Sequence, residues 1–306
     1  MTFNSEPTAG AAVDIAFITV NYNTLGHVKQ LTHFFATLDV PFAFSFTVVD
    51  NDSKDGSQEF LKSAAGVHYL QTGGNIGYGR AINRGVAATE SKHVCVTNTD
   101  VILNREALVA LWRFLEAHPD VGVCAPRITY EDGRDQGMLF HPSLFAHYAH
   151  WYAKTLVRHA KQQLAKANQP VQVHGVSGAF FFIRRSVIPS PELFDEDFFF
   201  FHEDTALAHS LKNRAVSCFI LPDVRIVHIG GQSRSEDSVG SFYESKYLYL
   251  EKFYGLFHAR AVYFVDRARI FRKWIFYSLL APLTPSERIR SKERYYKAAW
   301  NTVRAK

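Results

Sequence analysis

Short apolar runs alternate with amphipathic stretches through the first half of the chain, and each apolar run stops at a polar cluster. The runs fall at residues 15–20, 46–49, 67–70 and 93–97. The segment after the first run repeats its apolar residues near a 3.6-residue period, at Leu25, Val28, Leu31, Phe35 and Leu38. Strands that alternate with helices in this way predict an α/β fold whose strands run parallel through right-handed crossovers.

Turn and cap residues place the other helices of this half. Asp55, Gly56 and Ser57 turn the chain into a short helix. A further helix is expected from about Arg80, and Asn104 is expected to cap the next one. The pattern therefore predicts a helix after each of the four strands.

Each of the four strands ends in a polar or glycine-rich cluster. The clusters are Thr19 with Asn21, Asp50 with Asp52, Gly74 with Asn75, and Asn98 with Asp100. Because the carboxyl ends of parallel strands meet at one edge of a sheet, we expect the four clusters to converge. Taken singly, each is better explained as a cap or a turn. As a set at one edge, they predict a nucleotide-binding cleft.

The residue types at that edge suit a nucleoside diphosphate. Asp50 or Asp52, with the backbone near Thr19, offers hydrogen-bond partners to a base. The glycine-rich segment 73–79, a helix N-terminus and Arg80 suit a diphosphate. A carboxylate before a loop is also what a divalent ion bridging phosphates requires. No dinucleotide, phosphate-loop or nucleophile-elbow glycine motif occurs, which argues against those enzyme classes.

A second group of carboxylates follows in the other half of the chain. Five acidic residues lie within residues 195–204, interleaved with four phenylalanines. Apolar surroundings raise the pKa of a carboxylate toward that of a useful general base. The alternative is that Glu203 and Asp204 cap a helix that begins near Thr205.

Residues 48–57, 75–85 and 98–100 resemble, in this order, the successive signatures of the family 2 glycosyltransferases. More narrowly, they resemble the bacterial rhamnosyltransferase-type branch, and the resemblance covers about residues 14–255. It implies the GT-A fold, with a mainly parallel central sheet flanked by helices. It also implies a nucleotide-sugar donor such as a dTDP- or UDP-sugar, Mg²⁺ or Mn²⁺, and inversion at the anomeric carbon.

The resemblance assigns roles at the strand ends. Asp50 and Asp52 fall in the nucleoside-binding motif. Asp100 corresponds to the metal-binding Asp of a DxD-like motif whose first position is Asn98 here, which leaves one firm carboxylate. Donor contacts are predicted at Thr19, Asn21, Asp50, Asp52, Gly74, Asn75, Arg80, Asn83 and Asn98.

In the second half, the resemblance makes Asp204 the base that deprotonates the acceptor hydroxyl, and Glu203 a positioning or acceptor-binding residue. Residues 224–233 resemble a late His-Gly-Gly-Ser element, in which His228 either ligates the metal or hydrogen-bonds a phosphate. A packed structural histidine explains His228 equally well. No Gln-x-x-Arg-Trp motif of processive synthases follows Asp204, which predicts transfer of one sugar per encounter.

We expect a disordered N-terminus (1–13), a GT-A catalytic domain (14–255) and a basic amphipathic helical tail (256–306). The catalytic domain is expected to consist of a nucleotide-sugar-binding half (14–125) and an acceptor-binding half (126–255). Residues 141–169 are expected to be helical and fit the family pattern least. They are open to three interpretations, which are an acceptor-side insertion, a homodimer contact and a membrane contact.

Charge is uneven along the chain. Residues 257–306 hold 12 Lys+Arg and 3 Asp+Glu, whereas the whole chain holds 34 and 29, so the body is net negative. A basic helix rich in aromatic residues is typical of one that lies on an anionic membrane surface. Packing on the catalytic body is a close second interpretation. Nucleic-acid binding is a distant third, because no nucleic-acid fold signature accompanies the tail.

Three scattered cysteines in apolar runs predict buried thiols in a reducing compartment. The sequence shows no signal-peptide pattern and no uncharged apolar run long enough to span a bilayer. We therefore expect a cytoplasmic protein, peripheral at the inner face of the cell membrane.

The sequence thus predicts a metal-dependent inverting glycosyltransferase that transfers a single sugar, for which L-rhamnose is the example. The acceptor is expected to be a hydroxyl of a lipid-linked or polysaccharide precursor. The alternative is a nucleotide-sugar-binding scaffold at the membrane that has lost turnover. A scaffold would not need both Asp204 and Asp100.

Overall fold

The computed structural model describes residues 13–136, 143–188, 192–230 and 238–304. The expected disordered N-terminus, apart from Val13, lies outside these residues, as do Gly231, Gln232 and Ser233 of the late loop. The chain forms two compact units. The first comprises the described residues within 1–142, 155–197 and 203–229, and the second those within 143–154, 198–202 and 230–306.

One nine-stranded sheet is the centre of the first unit. Its strands are β1 (Val13–Asn21), β2 (Phe44–Asp50), β3 (His68–Gln71), β4 (Ser91–Asn98), β5 (Val101–Ile102), β6 (Val121–Thr129), β7 (Val171–Val173), β8 (Phe180–Arg184) and β9 (Ser217–His228). The spatial order is β3-β2-β1-β4-β8-β6-β9-β5, and β7 pairs with β9. The four strands predicted in the first half are therefore neighbours, as expected.

The sheet is mixed. The pairings β1–β2, β1–β4, β2–β3 and β6–β9 are parallel. Strand β8 is antiparallel to both of its neighbours, β4 and β6, and β5 and β7 are antiparallel to β9. The predicted parallel arrangement holds for the first four strands, and the second half of the chain adds the antiparallel ones.

Helices cover both faces of this sheet. The α-helices within the described residues are α1 (Leu25–Ala36), α2 (Ser57–Ser63), α3 (Tyr78–Ala87), α4 (Arg105–Ala117), α5 (Leu144–Tyr148), α6 (His150–Lys166), α7 (Glu203–Asn213), α8 (Ser238–Tyr254), α9 (Leu256–Leu280) and α10 (Glu287–Arg304). Alternate strand residues point to opposite faces. Phe17 accordingly belongs to the core shared with α1 and α4, and Ile18 to the core shared with α3 and α7. Cys95, Cys124 and Cys218 are buried free thiols, as predicted.

Strand β6 was not expected from the sequence. It contains Gly122 and Pro126, and both residue types argue against a central strand when only the sequence is known. The structure accommodates Pro126 at a register shift between β6 and β9. This irregularity is what allows the proline within the sheet.

The second unit consists mainly of α8, α9 and α10, which pack around Val239, Tyr243, Ile270, Ala299 and Val303. Asp266 on α9 is fully buried there, bonded to Lys246 Nζ at 2.5 Å and also to Arg269. A buried carboxylate needs such cationic partners, because its charge is otherwise costly to desolvate. The predicted helical character of segments 141–169 and 256–306 is confirmed for their described residues. Among the helices described, none is long and apolar enough to cross a membrane.

The predicted cap of α4 is confirmed, since Asn104 Oδ1 accepts a hydrogen bond from Ala107 N at 2.8 Å. Asn104 Nδ2 also donates to Arg225 O at 3.0 Å. We expect Asn104→Ala to lower the free energy of unfolding by about 1 kcal/mol or somewhat more, because the cap acceptor is lost. Urea unfolding measures this, and Asn104→Asp, which keeps the acceptor, should lose less. Equal losses in the two variants would show that the cap is not the stabilising contact.

Candidate active site

The carboxyl ends of the first four strands meet in register. Asn21 at the end of β1 lies opposite Asp50 at the end of β2, and Asp50 lies opposite Gln71 of β3. On the other side of β1, Val20 lies opposite Asn98 at the end of β4. The structure therefore brings the four predicted clusters to one edge of the sheet.

Asp50 organises the loop at the end of β2. The carboxylate is fully buried, accepting from Asn21 Nδ2 at 2.8 Å and from Ser53 N at 2.9 Å. The loop then leaves Asp52 partly exposed in the left-handed region, at φ 72°, with Lys54 Nζ 2.7 Å from its carboxylate. Thr19 is fully buried, and its hydroxyl has no hydrogen-bond partner among the described residues. Asp52 is thus the accessible carboxylate, and Asp50 supports it.

Asn51 was missed from the sequence, although it joins two of the predicted clusters. Its side chain donates to Asn75 Oδ1 at 2.8 Å and accepts from Ile76 N at 3.0 Å. Thr72 extends this network, because its hydroxyl donates to Gly74 O at 2.7 Å. Asn51 lies between the two acidic residues at the end of β2, and that position was the available signal.

Arg80 and Asn83 on α3 hold the segment that leads to the second carboxylate group. Asn83 Oδ1 accepts from Leu193 N and Phe194 N, at 3.1 and 2.9 Å, and its Nδ2 donates to Phe194 O at 2.8 Å. The exposed Arg80 donates through Nε to Glu196 O at 2.8 Å. Their predicted donor contacts stay predictions, and these bonds give both residues a role in positioning residues 193–196.

Antiparallel insertion of β8 brings the second half of the chain to the same edge. Thr97 near the end of β4 lies opposite Phe180 at the start of β8, and Asn98 N donates to Ala179 O at 2.9 Å. The loop before β8 therefore lies beside the donor strands. Gly178 in this loop donates through its N–H to Asp204 Oδ2 at 3.1 Å. A Cβ on Gly178 would lie 3.2 Å from Asp204 Cβ, so the close approach depends on glycine.

Tyr78 at the start of α3 links the two sides, and it was not predicted. Its hydroxyl lies 2.9 Å from Asn98 Oδ1 and 3.1 Å from Gly178 O. Burial, followed by the charges of the carboxylates on α7 and of Asp100, holds the pKa of Tyr78 well above its ordinary value. The phenol therefore stays protonated and acts as a hydrogen-bond donor between the donor strands and the Gly178 loop.

The carboxylates of Glu203 and Asp204 lie in the first turn of α7, where the helix N-terminus favours negative charge. Burial, and then the charge of Asp204, raise the pKa of Glu203 to about 8. Burial also raises the pKa of Asp204, but hydrogen bonds from Gly178 and Thr205 oppose that shift. Glu203 Oε2 has no hydrogen-bond partner within the described part of the chain. Near neutral pH, Glu203 is therefore protonated, whereas the hydrogen bonds to Asp204 favour its charged form.

Asp100 and His228 lie together beside the end of β4. Val101 of β5 pairs with His228 of β9, and Ile229 N donates to Asp100 O at 3.0 Å. As a result, His228 Nε2 lies 3.1 Å from Asp100 Oδ1. No cluster of three or more acidic, histidine or cysteine ligands occurs in the ranges that the structure covers. One carboxylate and one imidazole nevertheless fit a divalent ion that also takes phosphate oxygens and water.

Comparison with known proteins defines the class of this fold and site. Residues 18–189 match the family described as Glycosyl transferase family 2. The chain belongs to glycosyl transferase family 2, and it is a glycosyltransferase. The structures it resembles have the GT-A fold, which confirms the fold predicted from the sequence.

The chain is 25% identical over 258 residues to an N-acetylglucosaminyl-diphospho-decaprenol L-rhamnosyltransferase of Mycobacterium tuberculosis. This match covers 76% of the chain and 82% of the relative. Among solved structures, the mannosyltransferase PcManGT from Pyrobaculum calidifontis, in complex with GDP-Man and Mn²⁺, has a TM-score of 0.58 at 14% identity and covers 100% of this chain and 90% of that one. S. aureus TarS 1-349 in complex with UDP-GlcNAc has a TM-score of 0.51 at 18% identity and covers 95% of this chain and 83% of that one.

We expect the raised pKa of Glu203 to make stability depend on pH. Its folded pKa of about 8 lies above the ordinary 4.5, so its contribution is full below pH 4.5 and is lost as pH rises toward 8. Relative to Glu203→Gln, the wild type should lose roughly 2–5 kcal/mol of unfolding free energy across that range. Thermal and urea unfolding at pH 5, 6, 7 and 8 would measure it. The exposed Glu192→Gln control should follow the wild type, and parallel curves for wild type and Glu203→Gln would contradict the raised pKa.

Proposed function

We propose that this protein is a metal-dependent, inverting glycosyltransferase that transfers one sugar, L-rhamnose, from a dTDP- or UDP-linked donor. The acceptor is a hydroxyl of a lipid-linked or polysaccharide precursor. The observation that carries the proposal is the continuous hydrogen-bonded path from Asn98 through Tyr78 and Gly178 to Asp204. It joins the edge suited to a nucleotide with the carboxylate suited to act as a base.

The different environments of Glu203 and Asp204 support the choice of Asp204 as the base. Inversion by direct displacement needs one general base, which removes the proton of the acceptor hydroxyl. With a pKa of about 8, Glu203 holds its proton at neutral pH, whereas hydrogen bonds from Gly178 and Thr205 favour the charged form of Asp204. Asp204 is then the base, and Glu203 donates a hydrogen bond to the acceptor.

In the proposed step, the acceptor hydroxyl oxygen attacks the anomeric carbon from the face opposite the diphosphate. Its proton passes to a carboxylate oxygen of Asp204 as the new carbon–oxygen bond forms. The bond to the diphosphate oxygen breaks at the same time, and the nucleoside diphosphate leaves with that electron pair. The helix N-terminus of α7 and the Gly178 N–H hold the charged base in position until it accepts the proton.

Asp52, with the loop that Asp50 and Asn51 support, is the proposed contact for the nucleoside. Asn75 and the backbone around Gly74 would lie along the diphosphate. Asp100 and His228 would hold Mg²⁺ or Mn²⁺, and such an ion supplies positive charge that stabilises the leaving diphosphate. The described geometry of Asp100 and His228 fits that role, because a carboxylate oxygen and an imidazole nitrogen face each other there.

The sugar and the acceptor are proposed from the relative in M. tuberculosis, whose name specifies L-rhamnose transfer to a lipid-linked N-acetylglucosaminyl diphosphate. That relative matches over most of both chains. For segment 141–169, we favour the acceptor-side interpretation. Lys161 of α6 donates to Asp135 O at 2.8 Å, which attaches the later part of this segment, from residue 155, to the hairpin after β6.

Helix α9 supports a membrane-bound location at the inner face of the cell membrane. Its face toward α8 and α10 buries Val262, Asp266 and Ile270. Three exposed phenylalanines follow one another at intervals of seven residues, Phe257, Phe264 and Phe271, which are 78%, 63% and 44% exposed. Seven residues are two helical turns, so the three rings form one stripe. The ring of Phe271 also contacts Trp300 of α10, so the stripe meets the packed face at this end.

Basic residues accompany this stripe. Arg260 and Arg272 on the same helix are also exposed. An exposed apolar stripe of this size marks an interaction surface, and flanking arginines suit an anionic bilayer. Packing, which was the second interpretation of the tail, therefore accounts for one face of α9. We assign the other face to anionic lipid.

The proposed base can be tested by Asp204→Asn. We expect transfer from dTDP- or UDP-L-rhamnose to a lipid-linked N-acetylglucosaminyl diphosphate to fall by about 10²- to 10⁴-fold, because the proton acceptor is lost. Donor affinity, measured by calorimetry, should be retained. Asp197→Asn, an exposed carboxylate of the same acidic run, is the matched control. NMR of the product reports the anomeric configuration.

Full transfer by Asp204→Asn would refute the base assignment, and a product that keeps the donor configuration would refute inversion. Donor binding by the wild type without any transfer, over a panel of lipid-linked and polysaccharide acceptors, would favour the scaffold alternative.

The stripe on α9 can be tested by replacing Phe257, Phe264 and Phe271 together with Ser. We expect the wild type to co-sediment with vesicles that contain phosphatidylglycerol and the triple variant to remain in the supernatant, because the buried apolar area is lost. Binding should weaken with salt. Phe145→Ser, which changes an exposed phenylalanine on α5, should sediment as the wild type does. Co-sedimentation of the triple variant at wild-type levels would contradict the assignment.

A further inference from the structure

A short hairpin follows β6 and ends at Gln136, and its hydrogen bonds fix the position of the backbone there. Tyr130 N donates to Arg134 O at 2.9 Å, and Gly133 makes the turn at φ +78°, where glycine is favoured. Arg127 clamps the returning strand, since its Nε and Nη2 donate to the two carboxylate oxygens of Asp135 at 2.5 and 2.6 Å. A bidentate pair of this kind fixes orientation as well as distance. The neighbouring Gln136 is therefore held in a defined position.

Gln136 makes three hydrogen bonds that fix its amide. Its backbone N–H donates to Ile128 O at 3.0 Å. Its side-chain Nε2 donates to the backbone carbonyl of His228 at 2.5 Å, and its Oε1 lies 2.8 Å from His228 Nδ1. A carbonyl oxygen can only accept, so the amide nitrogen must face it and Oε1 must face the imidazole. His228 Nδ1 is then required to be the donor.

If Nδ1 of His228 carries the proton, Nε2 of the same ring is affected as well. In a neutral imidazole with its proton on Nδ1, Nε2 carries a lone pair. Here Nε2 lies 3.1 Å from Asp100 Oδ1, so a positive charge is required between them, which is either a second ring proton or a metal ion. Such an arrangement is favourable when a cation lies against both atoms. Histidines that bind metal ions commonly donate their second N–H to an oxygen in this way, which fixes the tautomer.

We propose that Gln136 is a positioning residue for a divalent cation, acting through His228. It fixes the tautomer and orientation in which Nε2 converges with Asp100. The inference rests on the metal role in the proposed function, and it adds that cation affinity depends on a side chain that does not touch the ion. A structural role limited to attaching the hairpin to β9 would leave both tautomer and cation affinity unchanged when the side-chain acceptor is removed.

The test compares Gln136→Leu, which removes both side-chain hydrogen bonds, with Gln136→Glu, which keeps an acceptor for Nδ1–H. Mn²⁺ alone is titrated and followed by electron paramagnetic resonance. We expect the Leu variant to bind Mn²⁺ about 10- to 100-fold more weakly, and the Glu variant to stay close to the wild type. Gln172→Leu, on another strand that pairs with β9, is the matched control, and Asp100→Ala defines loss of the site.

A second measurement is independent of binding. ¹⁵N NMR of histidine-labelled protein, with the His228 signals assigned by comparison with His228→Asn, distinguishes the two tautomers. We expect the Nδ1–H form in the wild type and loss of that preference in Gln136→Leu. The tautomer of His228 in the wild-type protein tests the inference even if the Gln136→Leu variant fails to fold.

An Nε2–H tautomer in the wild type would overturn the inference, as would wild-type Mn²⁺ affinity in Gln136→Leu when Asp100→Ala has lost binding. Those results would leave the proposed metal role intact. Absence of Mn²⁺ binding by the wild type, both alone and with UDP added, would overturn the metal role and the inference together.

Discussion

Parallel pairing of β1 with both β2 and β4 is the constraint on which the rest of the site depends. It sets the ends of three strands at one level, so that Asn21, Asp50 and Asn98 lie at the same edge of the sheet. Asn21 and Asp50 are then close enough for the hydrogen bond between their side chains. The burial of Asp50 then follows from its place at a strand end inside this edge. Carboxylates there are held by backbone N–H groups and amides, which is the environment that phosphates and bases also require.

Antiparallel strands complete what the parallel ones begin. A strand that runs parallel to β4 has its last residues at the edge where the donor is proposed to bind. A strand that runs antiparallel to β4 has its first residues there. The start of β8 places Gly178 beside β4, and the end of β9 places His228 beside Asp100 through its antiparallel partner β5. One sheet therefore brings together residues that lie far apart in the sequence. The hydroxyl of Tyr78 connects two of them, Asn98 and Gly178.

The sequence predicted the parts of this structure that have local causes. Apolar runs, caps and turns located the first four strands and the cap Asn104, and the order of polar strand ends located the edge. Long-range relations were not visible. The bridging hydroxyl of Tyr78, the hydrogen-bonded amide of Gln136 and the raised pKa of Glu203 depend on which segments meet after folding. Strand β6 was missed for a different reason, because Pro126 is tolerated only through a register shift that its partner strand provides.

The position of Asp100 and His228 has a consequence for local unfolding at the edge of the sheet. Strand β5 is two residues long, is last in the strand order and is attached through β9. Backbone hydrogen bonds at such a margin exchange with solvent through local fraying, at much lower cost than those of the central strands. An ion held between Asp100 and His228 would join the last strand to its neighbour and slow that fraying. The cation would then stabilise this edge of the sheet against local unfolding, in addition to any part it has in chemistry.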